Sequence, residues 1–259
     1  MATASSSRRR RSSAAAAASV LPLALSFIPS QQPAATSATQ TALTSKKPVA
    51  GAACGPHCGT ERWPLKTMSD SGAFSVTLTP VQKSVAELVA TTAPSESSDT
   101  ERLNEVEKQV YSVEATLVGY KIEGGKTGDQ DFHIVIQDPG TKDTMIVEIP
   151  DPHCDGVCNS TQKAAITKAR SDFVKAFPDN PPSTTFVVVT GQPKVTVTGV
   201  GLYDFYHGQT GVATNCIELH PVLSIAFPPP GTFKSGHDSA VMSSLKTEAS
   251  EHQCIPQER

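Results

Sequence analysis

Between Val110 and Phe227 apolar and polar side chains alternate in short runs separated by turn residues, and this pattern confines the chain to a small β-rich fold. Tyr111, Val113, Ala115 and Leu117 alternate with Ser112, Glu114 and Thr116, the period of a strand with one buried face. Gly124-Gly125 and Gly128-Asp129 mark a turn, and Phe132, Ile134 and Ile136 then alternate with Asp131, His133 and Gln137. Asp138-Pro139-Gly140 closes that strand, and Met145, Val147 and Ile149 against Thr144 and Glu148 predict a third. A helix follows, with Ser160 or Thr161 as its cap, Ile166, Ala169, Phe173 and Phe177 at spacings of three or four, and Pro178 at its end. Phe186 to Val189 and Val195 to Tyr203 predict a strand or strand pair, and Ile217, Leu219 and Leu223 to Phe227 the last strand. The expected fold is therefore mainly β with one helix: a five-stranded OB-like Greek-key barrel, its helix between strands 3 and 4.

The flanks read differently. Residues 1–30 hold a basic cluster at Arg8 to Arg11, an alanine run and an apolar stretch from Val20 to Ile28 interrupted by Pro22, the layout of a signal peptide. The expected address is secreted or periplasmic, with organelle import by a transit peptide as the other reading. Residues 31–60 read as a disordered linker, 61–109 as an extension packing on the barrel domain 110–227, and 228–259 as a C-terminal tail. Within the extension, Val81, Val85, Leu88 and Val89 have helical spacing, Ala93 to Thr100 reads as a second linker, and Trp63 as an anchor docked on the domain. No stretch is long and apolar enough for a membrane-spanning helix. Six of the 22 basic residues and none of the 25 acidic ones precede residue 61, so residues 61–259 carry 16 Lys and Arg against 25 acids, a formal −9. That balance argues against non-specific nucleic-acid binding, which draws on basic groups neutralising phosphates.

Cys54, Cys58, Cys154, Cys158, Cys216 and Cys254 make an even set suited to disulfides in an oxidising compartment. Spacing suggests two local loops, Cys54 with Cys58 and Cys154 with Cys158, leaving Cys216 for Cys254. Cys54, His57 and Cys58, and His153, Cys154 and Cys158, also look like zinc ligand sets, but they lack the usual C-x₂-C spacing. No metal and no cofactor is assigned.

Several short motifs occur together: Glu61-Arg62-Trp63-Pro64 with Lys66-Thr67, Asp131-Phe132-His133, Glu148-Ile149-Pro150-Asp151-Pro152 with Cys154, and Val195 to Phe205 followed by His207-Gly208-Gln209-Thr210-Gly211-Val212-Ala213 and Ile217-Glu218-Leu219-His220-Pro221-Val222. Across roughly residues 58 to 227 the chain resembles a set of exported bacterial proteins without assigned activity. The resemblance implies an OB-like barrel and export, and no reaction.

Alternation places Asp131 and His133 on one strand face, Glu148 on the matching face of the next strand, and Glu218 with His220 on the last, all opposite the apolar core. Asp204 and His207, from the glycine-bearing loop, can join them. The simplest reading leaves this polar face solvated, with His207 and His220 bonded to loop backbone and His220-Pro221 ending or bending its strand. The sharper reading brings carboxylates and imidazoles together to hold a divalent metal or run acid–base hydrolysis. The loop from His207 to Asn215, which includes Gln209, is the first place to expect a ligand, because long connections in small domains are disproportionately functional. No G-x-S-x-G, P-loop or H-E-x-x-H motif is present. The expected function is a non-enzymatic extracytoplasmic binding module for a small molecule, a glycan or a protein. The alternatives are a metal-assisted, phosphodiesterase-like hydrolase and a structural envelope accessory.

Overall fold

The computed structural model describes residues 54–124, 128–227, 234–236, 245 and 252–257. The expected leader, most of the linker before residue 61 and most of the tail after 227 lie outside them. The elements in chain order are α1 (Trp63–Lys66), β1 (Thr77–Lys83), α2 (Val85–Val89), β2 (Gln109–Ile122), β3 (Phe132–Gln137), β4 (Thr144–Ile149), α3 (Asp155–Asn159), α4 (Lys163–Ala176), β5 (Val187–Thr190), β6 (Lys194–Tyr203), β7 (Ile217–Ala226) and β8 (Lys234–Gly236).

Five of the strands close a ring. β2 pairs antiparallel with β3 and β6, β3 with β4, and β7 with β6, while β4 and β7 meet in parallel. With α3 and α4 between the third and fourth barrel strands, this is the OB-like connectivity expected from the alternation. Ile134, Ile136, Met145, Val147, Leu219 and Val197 fill the interior, each completely buried. α4 adds Ile166, Ala169 and Phe173 to the same core. The Phe173 ring meets Tyr120 edge-on, with centroids 5.0 Å apart.

Some local readings are corrected. Val81 does not begin a helix: it lies half-exposed in β1, which runs parallel to β2, and the helix starts only after Ser84. The reason is a capping box, in which the Ser84 hydroxyl accepts from the Glu87 amide at 3.0 Å and the Glu87 carboxylate accepts from the Ser84 amide at 2.8 Å. Ser84→Ala is expected to cost about 1 kcal/mol, read as a lowered urea midpoint at unchanged slope. α4 begins after Gln162, which makes no side-chain cap, so neither Ser160 nor Thr161 serves as its cap. The segment from Ala93 to Thr100 is tied down rather than a free linker, since Ser98 and Asp99 accept hydrogen bonds from Arg62. β7 does not end at His220-Pro221, although its register against β6 shifts there, as a bend in the strand requires.

The bridges are Cys54–Cys158, Cys58–Cys154 and Cys216–Cys254. The third pairing is the expected one, whereas the two local loops are not formed. Cys154 and Cys158 stand at the N-cap and within α3, and residues four apart on a helix hold their Cβ atoms about 5–6 Å apart, beyond the roughly 3.8 Å a disulfide requires. The two CysxxxCys segments therefore bridge crosswise and pin residues 54–58 against α3. All six cysteines being oxidised, none is available as a zinc thiolate.

Candidate functional site

The polar face of β3, β4 and β7 is not solvated. Asp131, His133 and His220 are completely buried, and Glu148 and Glu218 nearly so. Period-two alternation separated the core side from the polar side correctly, but a second layer covers the polar side. One part of that layer is the segment from Cys58 to Lys66, held by the crossed disulfides. The other is the loop 204–216, whose Thr210 carbonyl accepts from His133 Nε2 at 2.9 Å. Gly211 has a φ of 78°, and a Cβ there would stand 2.4 Å from Val135 Cγ1, so only glycine lets the loop lie this close to β3.

Register then assembles the cluster. His133 and Glu148 are cross-strand partners on β3 and β4, and β4 lies beside β7 with Ile146 opposite Glu218. His133 Nδ1 lies 2.8 Å from Glu148 Oε1 and 3.1 Å from Glu123 Oε1. His220 Nε2 is 2.9 Å from Asp131 Oδ2, and its Nδ1 is 3.0 Å from Glu218 Oε1 and 3.3 Å from Glu148 Oε2. Glu148 thus joins the two imidazoles through its two oxygens. On the facing bank Lys66 Nζ donates to Asp204 Oδ2 at 3.0 Å. Among the described residues, Asp204 Oδ1 is the one buried side-chain nitrogen or oxygen with no hydrogen-bond partner.

Between the banks lies a cleft of about 140 Å³, lined by Trp63, Lys66, Glu123, Asp129, Glu148, Asp204 and Glu218, with Glu61, His207 and Gln209 also contributing. Ionisation is strongly biased here. Burial pushes the Glu148 carboxyl up, reinforced by Glu218 and opposed by His133, to about 8. Burial and the charge of Asp129 raise Asp131 to about 6, against the pull of His220. Burial would lower His133, but Glu123 and Glu148 outweigh it and hold the imidazolium at about 10; His220 is raised well above its usual value, with Asp131 and Glu218 overcoming burial in the same way. For Asp204 burial is outweighed by Lys66, which keeps the carboxyl below its ordinary range. Glu148 therefore holds its proton far more tightly than Asp204, the kind of split that separates proton donors from acceptors in polar sites.

Of the residues expected from sequence, the structure gathers Asp131, His133, Glu148, Glu218 and His220 on one wall and Asp204 opposite. His207 stands among the residues lining the cleft, and Gln209 knits its loop by donating to the Phe205 carbonyl and accepting from the His207 amide. Asn215 is elsewhere: its amide donates to the carbonyls of Leu88 and Thr91, anchoring the end of α2. His220 bonds carboxylates rather than loop backbone. Lys66, Glu123 and Asp129 also belong to the site, beyond the residues that strand alternation and the glycine-bearing loop point to. Lys66 sits in the Trp63-Pro64-x-Lys66 motif, which was a usable signal; Glu123 and Asp129 flank a turn and show no pattern. Trp63 is a buried anchor whose Nε1 donates to Asp155 at 3.1 Å, and it also lines the cleft. Two groups can offer ligand atoms mutually within 4.8 Å to a metal ion: Glu123, His133 and Glu148, and Asp131, Glu148 and His220.

Fold and cluster together define a class: an OB-like barrel with an enclosed, charge-dense site on one outer wall. In comparisons with known proteins, no family model, no curated protein and no solved structure matches the chain. Among the described residues no helix is long and apolar enough to cross a membrane.

Proposed function

We propose that this chain is an extracytoplasmic binding module for a small, positively charged ligand, taken up in the cleft between the β3–β4–β7 wall and the disulfide-held segment 58–66. The observation that carries the reading is the lining: six carboxylate residues, Glu61, Glu123, Asp129, Glu148, Asp204 and Glu218, against the single amine of Lys66. Size narrows the ligand further. At about 140 Å³ the cleft is well below the roughly 300–1,000 Å³ of pockets that enclose drug-sized molecules, so an ion or a small amine fits and a nucleotide or oligosaccharide does not. Three disulfides favour an oxidising compartment for the working protein.

A thermal-shift panel on the full chain tests this, with divalent chlorides, guanidinium and putrescine set against phosphate and citrate. A cationic probe at a hundred times its Kd stabilises by about 2.7 kcal/mol, a rise of roughly 5–10 °C for a domain of this size. Asp204→Asn combined with Glu218→Gln is expected to abolish that rise. Stabilisation by the anions alone overturns the proposal.

The metal-assisted hydrolase stands as a second reading because Glu148 and Asp204 differ so sharply in proton affinity. It requires turnover of a generic phosphodiester such as bis(p-nitrophenyl) phosphate by the metal-loaded chain, lost in Asp204→Asn; an inactive chain rejects it.

A further inference from the structure

We infer that the floor of the cleft is a binding centre for one divalent first-row metal ion of the manganese-to-zinc range, held by His133 Nδ1, Glu123 and Glu148 and open towards the cleft. This rests on the acidic-cleft reading and names its ligand. The argument begins with the Thr210 carbonyl, which can only accept. It takes its hydrogen from His133 Nε2, so Nε2 carries a proton and Nδ1 is left to face the Glu148 and Glu123 oxygens at 2.8 and 3.1 Å. Those oxygens are acceptors when ionised, and a bare Nδ1 lone pair would repel them. With both carboxylates ionised, a positive species belongs at that point, either a second ring proton or a metal ion.

The surroundings are those of a ligand set. Histidines that bind metals commonly donate their other ring nitrogen to a backbone carbonyl or a carboxylate, which fixes tautomer and orientation. Thr210 does this for His133. Glu148 is steadied in turn through its second oxygen, 3.3 Å from His220 Nδ1, while His220 leans on Asp131 at 2.9 Å. Around an ion with ligands at about 2.0–2.2 Å, neighbouring ligand atoms stand about 3.0–3.4 Å apart. His133 Nδ1 needs to draw apart from the two carboxylate oxygens by only a few tenths of an ångström, all three atoms lying within 4.8 Å of one another, and Lys121, now 2.8 Å from Glu123, has to yield its share of that carboxylate. One imidazole with two carboxylates suits zinc, manganese or iron better than calcium, which prefers six or more oxygens. A separate observation points the same way: the buried, unpartnered Asp204 Oδ1 belongs to a residue lining the same cleft, where it can accept from water bound to such an ion.

The test uses the full oxidised chain, stripped with a chelator and dialysed against zinc or manganese. One equivalent per chain is expected, with X-ray absorption showing a first shell of one imidazole nitrogen and otherwise oxygen. Glu148→Gln and His133→Gln should each weaken binding at least 100-fold, whereas His153→Asn, on a fully exposed side chain, should leave it unchanged. If the two buried variants fail to fold, the absorption spectrum of the wild-type chain still decides, since a shell with no imidazole or with several overturns the assignment. Binding that survives His133→Gln in a folded variant overturns it as well. If putrescine or guanidinium stabilises the chain while neither metal binds, the acidic-cleft reading stands and the metal centre falls; if no cation of either kind binds, both fall.

Discussion

Glu107→Ala is expected to remove about 3–5 kcal/mol of stability, because it leaves the Arg62 guanidinium buried without its counter-charge. Both side chains are completely buried. Arg62 donates from its two terminal nitrogens to the two Glu107 oxygens at 2.7 and 3.0 Å, and further to the Ser98, Glu101 and Tyr203 carbonyls. Glu107 also accepts from the amides of Leu103 and Tyr203. The pair therefore ties three segments together: the residues leading into α1, the loop 98–107 and the end of β6. Set against a typical total of about 5–15 kcal/mol, such a loss leaves much of the chain unfolded at moderate urea. Removing both charges is a different matter, since replacing a buried ion pair with apolar groups is often close to neutral. Arg62→Met with Glu107→Leu should recover most of the stability, apart from the amides and carbonyls left unbonded. Urea titrations of the single and double variants measure this, and a double variant no more stable than Glu107→Ala contradicts the account.

The second large effect lies in the crossed bridges. Cys54–Cys158 and Cys58–Cys154 span 104 and 96 residues and are nested, so either one alone closes nearly the same long loop. Loop-closure entropy then makes their removal strongly non-additive. Opening one bridge releases only the short ring between the two and is expected to cost about 2 kcal/mol; opening both frees a loop of about a hundred residues and costs about 5–7 kcal/mol in the chain-entropy account. Melting curves of Cys54→Ala/Cys158→Ala, Cys58→Ala/Cys154→Ala and the fourfold variant decide the point. A fourfold loss equal to the two double losses added together would show that the bridges act independently. The fourfold variant should also lose the cation-induced rise in Tm, because residues 58–66 form one bank of the cleft.

Much of this architecture was legible in the residues. Side chains alternate along a strand with a strict period of two, so Phe132, Ile134, Val147 and Leu219 had to share one side of the sheet and His133, Glu148 and Glu218 the other. Even the grouping of site residues followed from that rule, and Asp131, His133, Glu148, Glu218 and His220 do stand on one wall. What alternation cannot report is whether a face meets water. Burial of this wall comes from Cys58 to Lys66 and from Thr210 and Gly211, far away along the chain, and no local periodicity registers a cover supplied from a distance. Cysteine pairing escaped for a related reason. Two cysteines four apart are close in sequence in either pairing, and only the helical path of α3 makes the local bridge unreachable.

By itself, then, the amino-acid sequence determined the order of the five barrel strands, the position of the long helix, the division of those strands into an apolar and a polar side, and the acidic balance of the domain. These are properties of backbone period and residue charge, which act locally or as simple sums. Tertiary structure alone decided that the polar side is enclosed, that Lys66 and Glu123 complete it, and that Glu148, Asp131, Asp204, His133 and His220 hold shifted proton affinities. Those outcomes depend on distances and on the exclusion of water, and both arise only when remote segments meet.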